Sequence, residues 1–224
     1  MQNPWKRAPR SAPFLLEEDR PLVEAFNRRA RPDYAVHTEL TPEPFLGRPD
    51  APVVLLNLNP SWVEGDLGGH DRPDFALAAR DNLLHVPSDY PFFLLAPRFE
   101  ATGGGQWWRA RLRWPIEDVG LAAVAQGLFV AEFFPYHSTK GYHGPRLPSQ
   151  GYSFHLVERA MDRNALILLL RSERLWFNTI PSLRSYGRLY RLRSVQGVWI
   201  SPANCPQGYS PLLRGLAGAA AGAG

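Results

Sequence analysis

A run of four apolar residues, Val53 to Leu56, stops abruptly at the polar sequence Asn-Leu-Asn-Pro-Ser of residues 57–61. An unbroken apolar run of this length is typical of a strand that is buried on both faces of a parallel sheet. Polar residues at the carboxyl end of such a strand are where open α/β sheets hold their ligands. Pro60 fixes its own φ and keeps Asn59 out of the α region. The pattern predicts either a positioned carboxamide at a functional loop or an ordinary Asn-Pro turn.

The composition argues against a disulfide-linked, a metal-cluster and a membrane-spanning protein. The 224 residues suffice for one domain with a substantial core. The single cysteine, Cys205, excludes an intramolecular disulfide and a cysteine-based metal cluster, and the histidines lack ligand spacing such as HExxH, so we expect no metal and no cofactor. The longest apolar run, Ala165 to Leu170, is too short to span a bilayer, and no apolar segment of a signal peptide follows the charged amino terminus. We expect a cytoplasmic protein that does not enter membranes.

Three further apolar segments predict the remaining strands: residues 128–131, 165–170 and 198–200. Helical patterns lie between them. This alternation predicts an α/β fold, a three-layer α/β/α sandwich with a central, mainly parallel four-stranded sheet. The domain is expected to span residues 14–212, and residues 1–13 and 213–224 are expected to be flexible tails.

Three of the predicted strands end in polar loops that contain proline. Asn59 follows the first strand, Glu132 ends the second and Asn204 follows the last. The carboxyl ends of parallel strands open on the same side of a sheet. We therefore expect these three side chains to converge on one pocket.

Arginine carries nearly all of the positive charge, since Lys6 and Lys140 are the only lysines and the net charge is +4. Tryptophan and arginine alternate within residues 106–114, and on a helix Arg109 and Arg113 would lie one turn apart. This spacing predicts either an amphipathic helix with its tryptophans packed inward or a basic aromatic face that contacts a nucleic-acid backbone.

The loop of residues 57–61, the strand that ends at Glu132 and the sequence of residues 201–204 together resemble the uracil-DNA glycosylase superfamily. The loop of residues 57–61 is similar to the Gly-x-Asn-Pro-Gly loop of the mismatch-specific and single-strand-selective branches. The strand that ends at Glu132 stands where the family has a strand ending in a base-reading asparagine. The sequence Ser-Pro-Ala-Asn of residues 201–204 is similar to the latter part of the His-Pro-Ser-Pro-x-Asn loop. The resemblance covers residues 53–206 and implies an α/β/α sandwich around a four-stranded parallel sheet.

The resemblance also implies residue roles. Asn59 and Glu132 are the predicted catalytic residues, with Asn59 orienting the attacking water. The predicted substrate-binding residues lie in the three loops or carry a ring that can stack on a base: Asn57, Ser61, Trp62, Phe92, Phe133, Ser201 and Asn204. Phe92 is the preferred stacking residue. Arg109 and Arg113 are predicted to contact the nucleic-acid backbone.

The chain also departs from the family pattern. Asn57 and Ser61 replace the two glycines of the first loop, and Trp199 stands where the last loop has its histidine. Stabilisation of the leaving base would then fall to Ser201, Asn204 or His137. His137 belongs to a Pro-Tyr-His sequence that imitates part of the Gly-Gln-Asp-Pro-Tyr-His loop of the main uracil enzymes. That sequence follows the second strand rather than the first, so we interpret the match as coincidental.

Glu132 allows a physical inference about the ligand. An ionised carboxylate only accepts hydrogen bonds, so it would suit a base edge with two donors, such as guanine, better than uracil. Alternatively, Glu132 is a general base, since burial at a strand end would raise the pKa of its carboxyl group.

The sequence therefore predicts a DNA base-excision N-glycosylase-like hydrolase of unknown base specificity. Its expected partner is nucleic acid, including single-stranded DNA, or a nucleobase or nucleotide. The alternative is a non-catalytic member of the same fold that binds nucleic acid or a nucleotide. An unrelated α/β hydrolase that uses Ser138 with His137 or His143 ranks last, because the chain lacks a Gly-x-Ser-x-Gly elbow.

Overall fold

The computed structural model describes residues 1–63, 66–141 and 144–221, with the backbone alone described at residues 66, 67, 220 and 221. The strands within these ranges are β1 (Phe45–Gly47), β2 (Val53–Asn57), β3 (Leu128–Glu132), β4 (Leu166–Leu169) and β5 (Leu189–Arg191). The helices are α1 (Arg20–Asn27), α2 (Asp66–His70), α3 (Pro73–Leu83), α4 (Gly103–Arg111), α5 (Arg113–Val119), α6 (Leu121–Gly127), α7 (Gln150–Asp162), α8 (Glu173–Thr179) and α9 (Tyr209–Ala221).

One sheet contains all five of these strands, in the order β1-β3-β2-β4-β5. β2 pairs in parallel with β3 and with β4, and β4 pairs in parallel with β5. β1 adds an antiparallel edge to β3. Every residue of β2, β3 and β4 is buried, as their unbroken apolar runs predict. The expected α/β fold with a mainly parallel sheet is confirmed, but the sheet has five strands rather than four.

One predicted strand is absent, and two of the five observed strands, β1 and β5, were not predicted. Residues 198–200 form no strand, because the backbone of Val198 has a φ of 46° and cannot continue an extended ladder. Val198 and Ile200 are nevertheless fully buried, so core packing accounts for their apolar character. The actual last strand, β5, is half-exposed and lacks an apolar run. The edge strand β1 lies in a proline-rich segment that shows no strand pattern of its own.

The sheet separates two hydrophobic cores. Side chains alternate across it, so that Val54 and Leu56 pack on one face and Val53 and Leu55 on the other. α7 and α8 cover the first face, whereas α6 and α9 cover the second. The chain therefore forms three layers, helices–sheet–helices. None of the helices in the described part of the chain has the length and apolar character needed to cross a bilayer.

The two expected flexible tails contribute to these cores. Trp5 lies in a short 3-10 helix, Pro4–Arg7, and is fully buried against Tyr136, with ring centroids 6.0 Å apart. At the other end, Leu216 of α9 is fully buried and packs on Gly127, where a side chain would clash with it. The prediction of tails at 1–13 and 213–221 is therefore wrong for these core positions, and residues 222–224 lie outside the described residues. Isolated apolar residues among charges or glycines were too weak a signal to predict either contact.

Candidate functional site

A large cavity opens at the carboxyl edge of the parallel strands. From β2 the chain proceeds to β3 on one side, and it then crosses to β4 on the other side of β2. Such a reversal of strand order leaves a crevice beyond the strand ends, where α/β proteins bind their ligands. The cavity has a volume of about 890 Å³. Its polar lining includes Glu43, Asn57, Asn59, His70, Glu132 and His137.

Asn57 and Glu132 form a hydrogen-bonded pair where β2 and β3 end. They are direct register partners in the two strands, and Asn57 Nδ2 donates to Glu132 Oε1 at 3.0 Å. Trp176 Nε1 donates to the Asn57 carbonyl oxygen at 2.9 Å and anchors the strand end. The other two oxygens, Asn57 Oδ1 and Glu132 Oε2, are buried and have no hydrogen-bond partner among the described residues. Buried polar atoms without partners are costly, and a ligand in the cavity is one means of satisfying them.

The protonation of Glu132 determines what this pair offers a ligand. Burial raises the pKa of Glu132 from 4.5 to about 8, although the hydrogen bond from Asn57 and the charge of Arg171 both lower it. At neutral pH the carboxyl group is therefore mainly protonated. Because Oε1 accepts from Asn57, the proton belongs on Oε2, which then donates while Asn57 Oδ1 accepts. The expected rise in pKa is confirmed, whereas the premise of an ionised Glu132 that only accepts is wrong at pH 7.

Asn59 links the loops that follow β2 and β3. Its Nδ2 lies 2.8 Å from the Pro60 carbonyl oxygen, 3.2 Å from that of Ser138 and 3.0 Å from Ser138 Oγ. Ser138 Oγ itself donates to the Lys140 carbonyl oxygen at 2.7 Å, so it accepts from Asn59. Three acceptors around one nitrogen fix the orientation of the amide. These contacts hold the Asn59 side chain through Nδ2. None of them involves Oδ1, which remains as an acceptor.

Two histidines line the same cavity and have different surroundings. His137 Nδ1 lies 2.8 Å from the Ser61 carbonyl oxygen, and Nε2 lies 3.0 Å from that of Thr41. Carbonyl oxygens only accept, so both contacts are satisfied by an imidazolium that donates from both nitrogens. His70 packs edge-on to His137 at 5.2 Å between centroids. Burial and the charge of His137 lower the pKa of His70 from 6.5 to about 3, so His70 is neutral at pH 7.

Glu43, His70 and His137 are the one group in the described ranges whose ligand atoms could surround a metal ion, all lying within 4.8 Å of one another. A metal would need a lone pair on a histidine nitrogen. Both nitrogens of His137 already face carbonyl oxygens, as described above. The surroundings of His137 thus fit an imidazolium that donates two hydrogen bonds better than a histidine that binds a metal ion.

The structure brings together four of the predicted site residues. Asn57, Asn59, Ser61 and Glu132 all line the cavity. Asn57 and Glu132 are the last residues of β2 and β3, and Asn59 and Ser61 follow β2. The two strands are adjacent and parallel, so the strand-end argument holds for these residues. Ser61 contributes its carbonyl oxygen to His137.

The three predicted stacking aromatics lie elsewhere. Phe92 is fully buried against Trp108 in one core. Phe133 packs between Phe154 and Trp176 in the other, with centroids 5.2 Å from each. Trp62 stacks on His37 at 4.0 Å and is not part of the cavity wall. These predictions are wrong because an aromatic residue in a loop has the same sequence signature whether it faces a core or a pocket.

The third predicted loop does not reach the main cavity. Asn204 Nδ2 donates to the Trp199 carbonyl oxygen at 2.8 Å and to that of Ser194 at 3.0 Å, so its side chain holds its own loop. Ser201 Oγ accepts from the Asn204 backbone N–H at 3.2 Å. Both residues line a separate groove. The expected convergence of three loops fails because residues 198–200 are not a strand of the sheet.

Arg109 and Arg113 do not form the expected face. α4 ends at Arg111 and α5 begins at Arg113, with Leu112 between them at a ψ of 11°. Arg109 donates to the Leu95 carbonyl oxygen at 2.8 Å, whereas Arg113 is exposed and pairs with Glu117 at 3.2 Å. The one-residue break between the helices separates the two guanidinium groups.

Sequence patterns did not indicate His70 and Arg171 as parts of the cavity wall, and they gave His137 only a secondary role. His70 gave no signal, since its helix α2 is short and glycine-rich. Arg171 lies two residues after the end of β4, so the strand-end argument applied to β4 would have found it. His137 was noticed, but its Pro-Tyr-His sequence was set aside as coincidental; the structure places the ring in the cavity.

Comparison of the chain with protein-family models, with curated proteins and with solved structures gave no match.

Proposed function

We propose that the main cavity binds a nucleobase and that the protein is a DNA base-excision N-glycosylase-like hydrolase. The observation that carries this proposal is the buried Asn57–Glu132 pair, which leaves one oxygen of each side chain without a partner at the end of adjacent strands. Nucleobases are flat rings whose edges carry adjacent hydrogen-bonding groups, and enzymes that act on them read the flipped base in such a pocket. A volume of about 890 Å³ accommodates a base together with its sugar.

The neutral pair defines the ligand edge. Glu132 Oε2 donates and Asn57 Oδ1 accepts, so the complementary edge carries one acceptor beside one donor. Ring lactams, such as those of uracil, guanine and hypoxanthine, have this arrangement, and so do the amino-substituted edges of cytosine and adenine. The reason for disfavouring uracil, an ionised Glu132, therefore does not apply at neutral pH.

The residues beside this pair suit hydrolysis of an N-glycosidic bond. Asn59, fixed through Nδ2, presents Oδ1 as an acceptor that would orient water towards C1′. The water oxygen bonds to C1′ as the bond from C1′ to the base nitrogen breaks. The electron pair of that bond leaves with the base, and the proton that the water loses passes through solvent to the departing base. The imidazolium of His137 stabilises that developing negative charge. Of the three side chains considered for this role, His137 is the one that lines the cavity.

The fold also supports the proposal. The four parallel strands between helical layers agree with the architecture that the sequence resemblance implies, with β1 as an additional antiparallel edge. The position of Ser201 and Asn204 outside the cavity favours the second candidate, a non-catalytic member that binds a nucleobase or nucleotide. The two candidates share the pocket and differ in whether the bond is cleaved.

An excision assay distinguishes them. Oligonucleotides that each contain one uracil, hypoxanthine, xanthine or mismatched base are incubated with the protein and then treated with alkali. We expect strand breaks at one of these bases, lost in Asn59→Ala and retained in Asn178→Ala, which removes an exposed asparagine from α8. Binding of a free base without strand breaks on any substrate would favour the non-catalytic candidate. Neither binding nor breaks would reject both.

A further inference from the structure

A continuous series of aromatic rings and guanidinium groups leads away from the main cavity. Trp107 lines the cavity, and the Arg111 guanidinium lies 4.5 Å from the centre of its ring. The same guanidinium lies 4.7 Å from the ring of Trp199, which meets Trp114 at 6.3 Å between centroids. Arg113 lies 4.6 Å over Trp114. We call these five residues the aromatic ladder.

The far end of the aromatic ladder is a second open groove. Arg113, Trp114 and Trp199 line it together with the loop of Ser201 to Asn204, around a volume of about 530 Å³. Trp199 is 41% exposed, although most large apolar side chains of the chain are buried. An indole exposed beside a groove is a surface on which a base can stack.

The backbone holds Trp199 in this exposed position. Val198 before it has a φ of 46°, which is strained for a β-branched residue. A side chain at Gly197 would clash with the Trp199 indole in its present position, so the glycine leaves room for that placement of the indole. The Ile200 N–H donates to the Arg111 carbonyl oxygen at 3.1 Å and ties the loop to the end of α4. The loop therefore presents Trp199 next to Arg111 at a cost in backbone strain.

The charges along the aromatic ladder favour an anion. Arg111 Nε is buried without a hydrogen-bond partner among the described residues, and the positive charge of Arg171 is close enough to act on Arg111. Arg171 lines the main cavity. Arg113 is paired with Glu117, but both side chains are more than half exposed, so a phosphate can displace that weak pair.

We propose that the aromatic ladder is a track for the single-stranded polynucleotide that continues from the base held in the main cavity. A base stacks on Trp199, and the guanidinium groups of Arg111, Arg113 and Arg171 contact the phosphates between the two sites. Stacking of this kind tolerates any base. The track therefore increases the affinity for longer oligonucleotides and does not select a base sequence. This inference rests on the proposed function, since it takes a nucleobase as the occupant of the main cavity.

The test measures binding of fluorescein-labelled oligothymidylate of about 16 nucleotides, a length at the upper end of single-strand site sizes. Fluorescence anisotropy is recorded over a series of KCl concentrations. We expect Trp199→Ala to weaken binding on the order of 10-fold and Trp199→Phe to retain most of the affinity. Arg113→Glu should reduce the slope of affinity against salt by about 0.7 or more. Arg48→Glu is the control for the change of charge, because Arg48 also forms an exposed ion pair, with Asp50, and follows β1 at the amino-terminal end of the parallel strands.

Unchanged affinity and salt slope in both Trp199→Ala and Arg113→Glu would overturn the track. Equal losses in Arg48→Glu and Arg113→Glu would also overturn it, because the attraction would then be general. The outcome is separable from the excision assay. If no base is excised but Trp199→Ala weakens oligonucleotide binding, the track stands without the proposed reaction. If excision occurs and these variants bind the oligonucleotide as the parent does, the reaction stands without the track.

Discussion

Asn57 and Glu132 are register partners at the ends of parallel strands, and the Asn57 amide donates to the Glu132 carboxyl group at 3.0 Å. This contact uses one polar atom of each side chain and leaves Asn57 Oδ1 and Glu132 Oε2 unpartnered. The hydrogen bond orients both groups before any ligand arrives, so a ligand with the matching edge does not have to pay for ordering them.

The first prediction concerns ligand binding by Glu132→Gln. A glutamine amide reproduces the neutral carboxyl group, since its oxygen accepts from Asn57 and its nitrogen donates to the ligand. We expect the parent protein to lose affinity for its base as the pH rises through about 8, where Glu132 ionises. Glu132→Gln should keep the affinity above that pH, whereas Glu132→Ala should lose it at every pH. Titration calorimetry from pH 6 to pH 9.5 measures this; loss of binding by Glu132→Gln at neutral pH would contradict a neutral Glu132.

The same group makes a prediction for stability. The folded protein retains the proton of Glu132 up to about pH 8, while the unfolded chain releases it near 4.5. The free energy of unfolding should therefore fall as the pH rises from about 4.5 to about 8. The fall amounts to about 1.4 kcal/mol for each unit of difference between the two pKa values, and the free energy levels off above pH 8. Urea unfolding of Glu132→Gln should lack this fall. A parallel decline in parent and variant would assign the effect to other groups.

His70 should have the opposite dependence. Its pKa is lowered to about 3 in the folded protein from 6.5, so the unfolded chain takes up a proton first as the pH falls. The stability that depends on neutral His70 is present above pH 6.5 and is lost as the pH falls towards 3. His70→Asn should therefore flatten the acid side of the stability profile. Urea unfolding at pH 7, above that range, and at pH 4, within it, compares the two proteins.

The orientation of Asn59 can be tested by Asn59→Asp. Aspartate has no N–H, so the carbonyl oxygens of Pro60 and Ser138 would face a carboxylate instead of a donor. We expect Asn59→Asp to destabilise the fold by about 1–3 kcal/mol, and by more than Asn59→Ala, which removes the donor without adding charge. Thermal unfolding at neutral pH ranks the two variants. Asn178→Asp, on the surface of α8, controls for added charge. Arg184 Nη2 donates to Asn178 Oδ1 at 3.1 Å, so the new charge is exposed and paired and should not destabilise the fold.

A final prediction concerns the amino-terminal segment. Trp5→Ala empties a fully buried position, so the free energy of unfolding should fall by about 3–5 kcal/mol. Lys6→Ala, at the exposed neighbouring position, should have little effect. Chemical denaturation measures both. If Trp5→Ala left the free energy of unfolding unchanged, residues 1–13 would be a tail that does not contribute to the core.

Strand prediction succeeded where the local pattern was strong enough to require burial on both faces. The runs that became β2, β3 and β4 consist almost entirely of apolar residues, which have no stable alternative to a central strand between two layers. β1 and β5 have three residues each, and their pairing depends on the strand beside them rather than on their own composition.

The site residues also divide into those that the local sequence pattern predicts and those that depend on tertiary packing. Asn57, Asn59 and Glu132 were predictable because the end of a buried parallel strand determines where the next polar residues lie. Phe92 and Phe133 were assigned to the pocket wrongly, since only the packed structure decides which face an aromatic ring meets. The aromatic ladder requires Arg111 and Trp199, distant in sequence, to come together through the loop after β5.

The sequence by itself determined the central strands, the layered architecture and the polar residues that terminate β2 and β3, because burial and chain direction are local consequences of composition and order. Only the tertiary structure decided the chemistry of those residues. Asn57 and Glu132 are 75 positions apart, and parallel pairing brings them into hydrogen-bonding contact. Packing around Glu132 then removes water from its carboxyl group and raises its pKa, so a residue that reads as an acid in the sequence acts as a neutral hydrogen-bond donor in the fold.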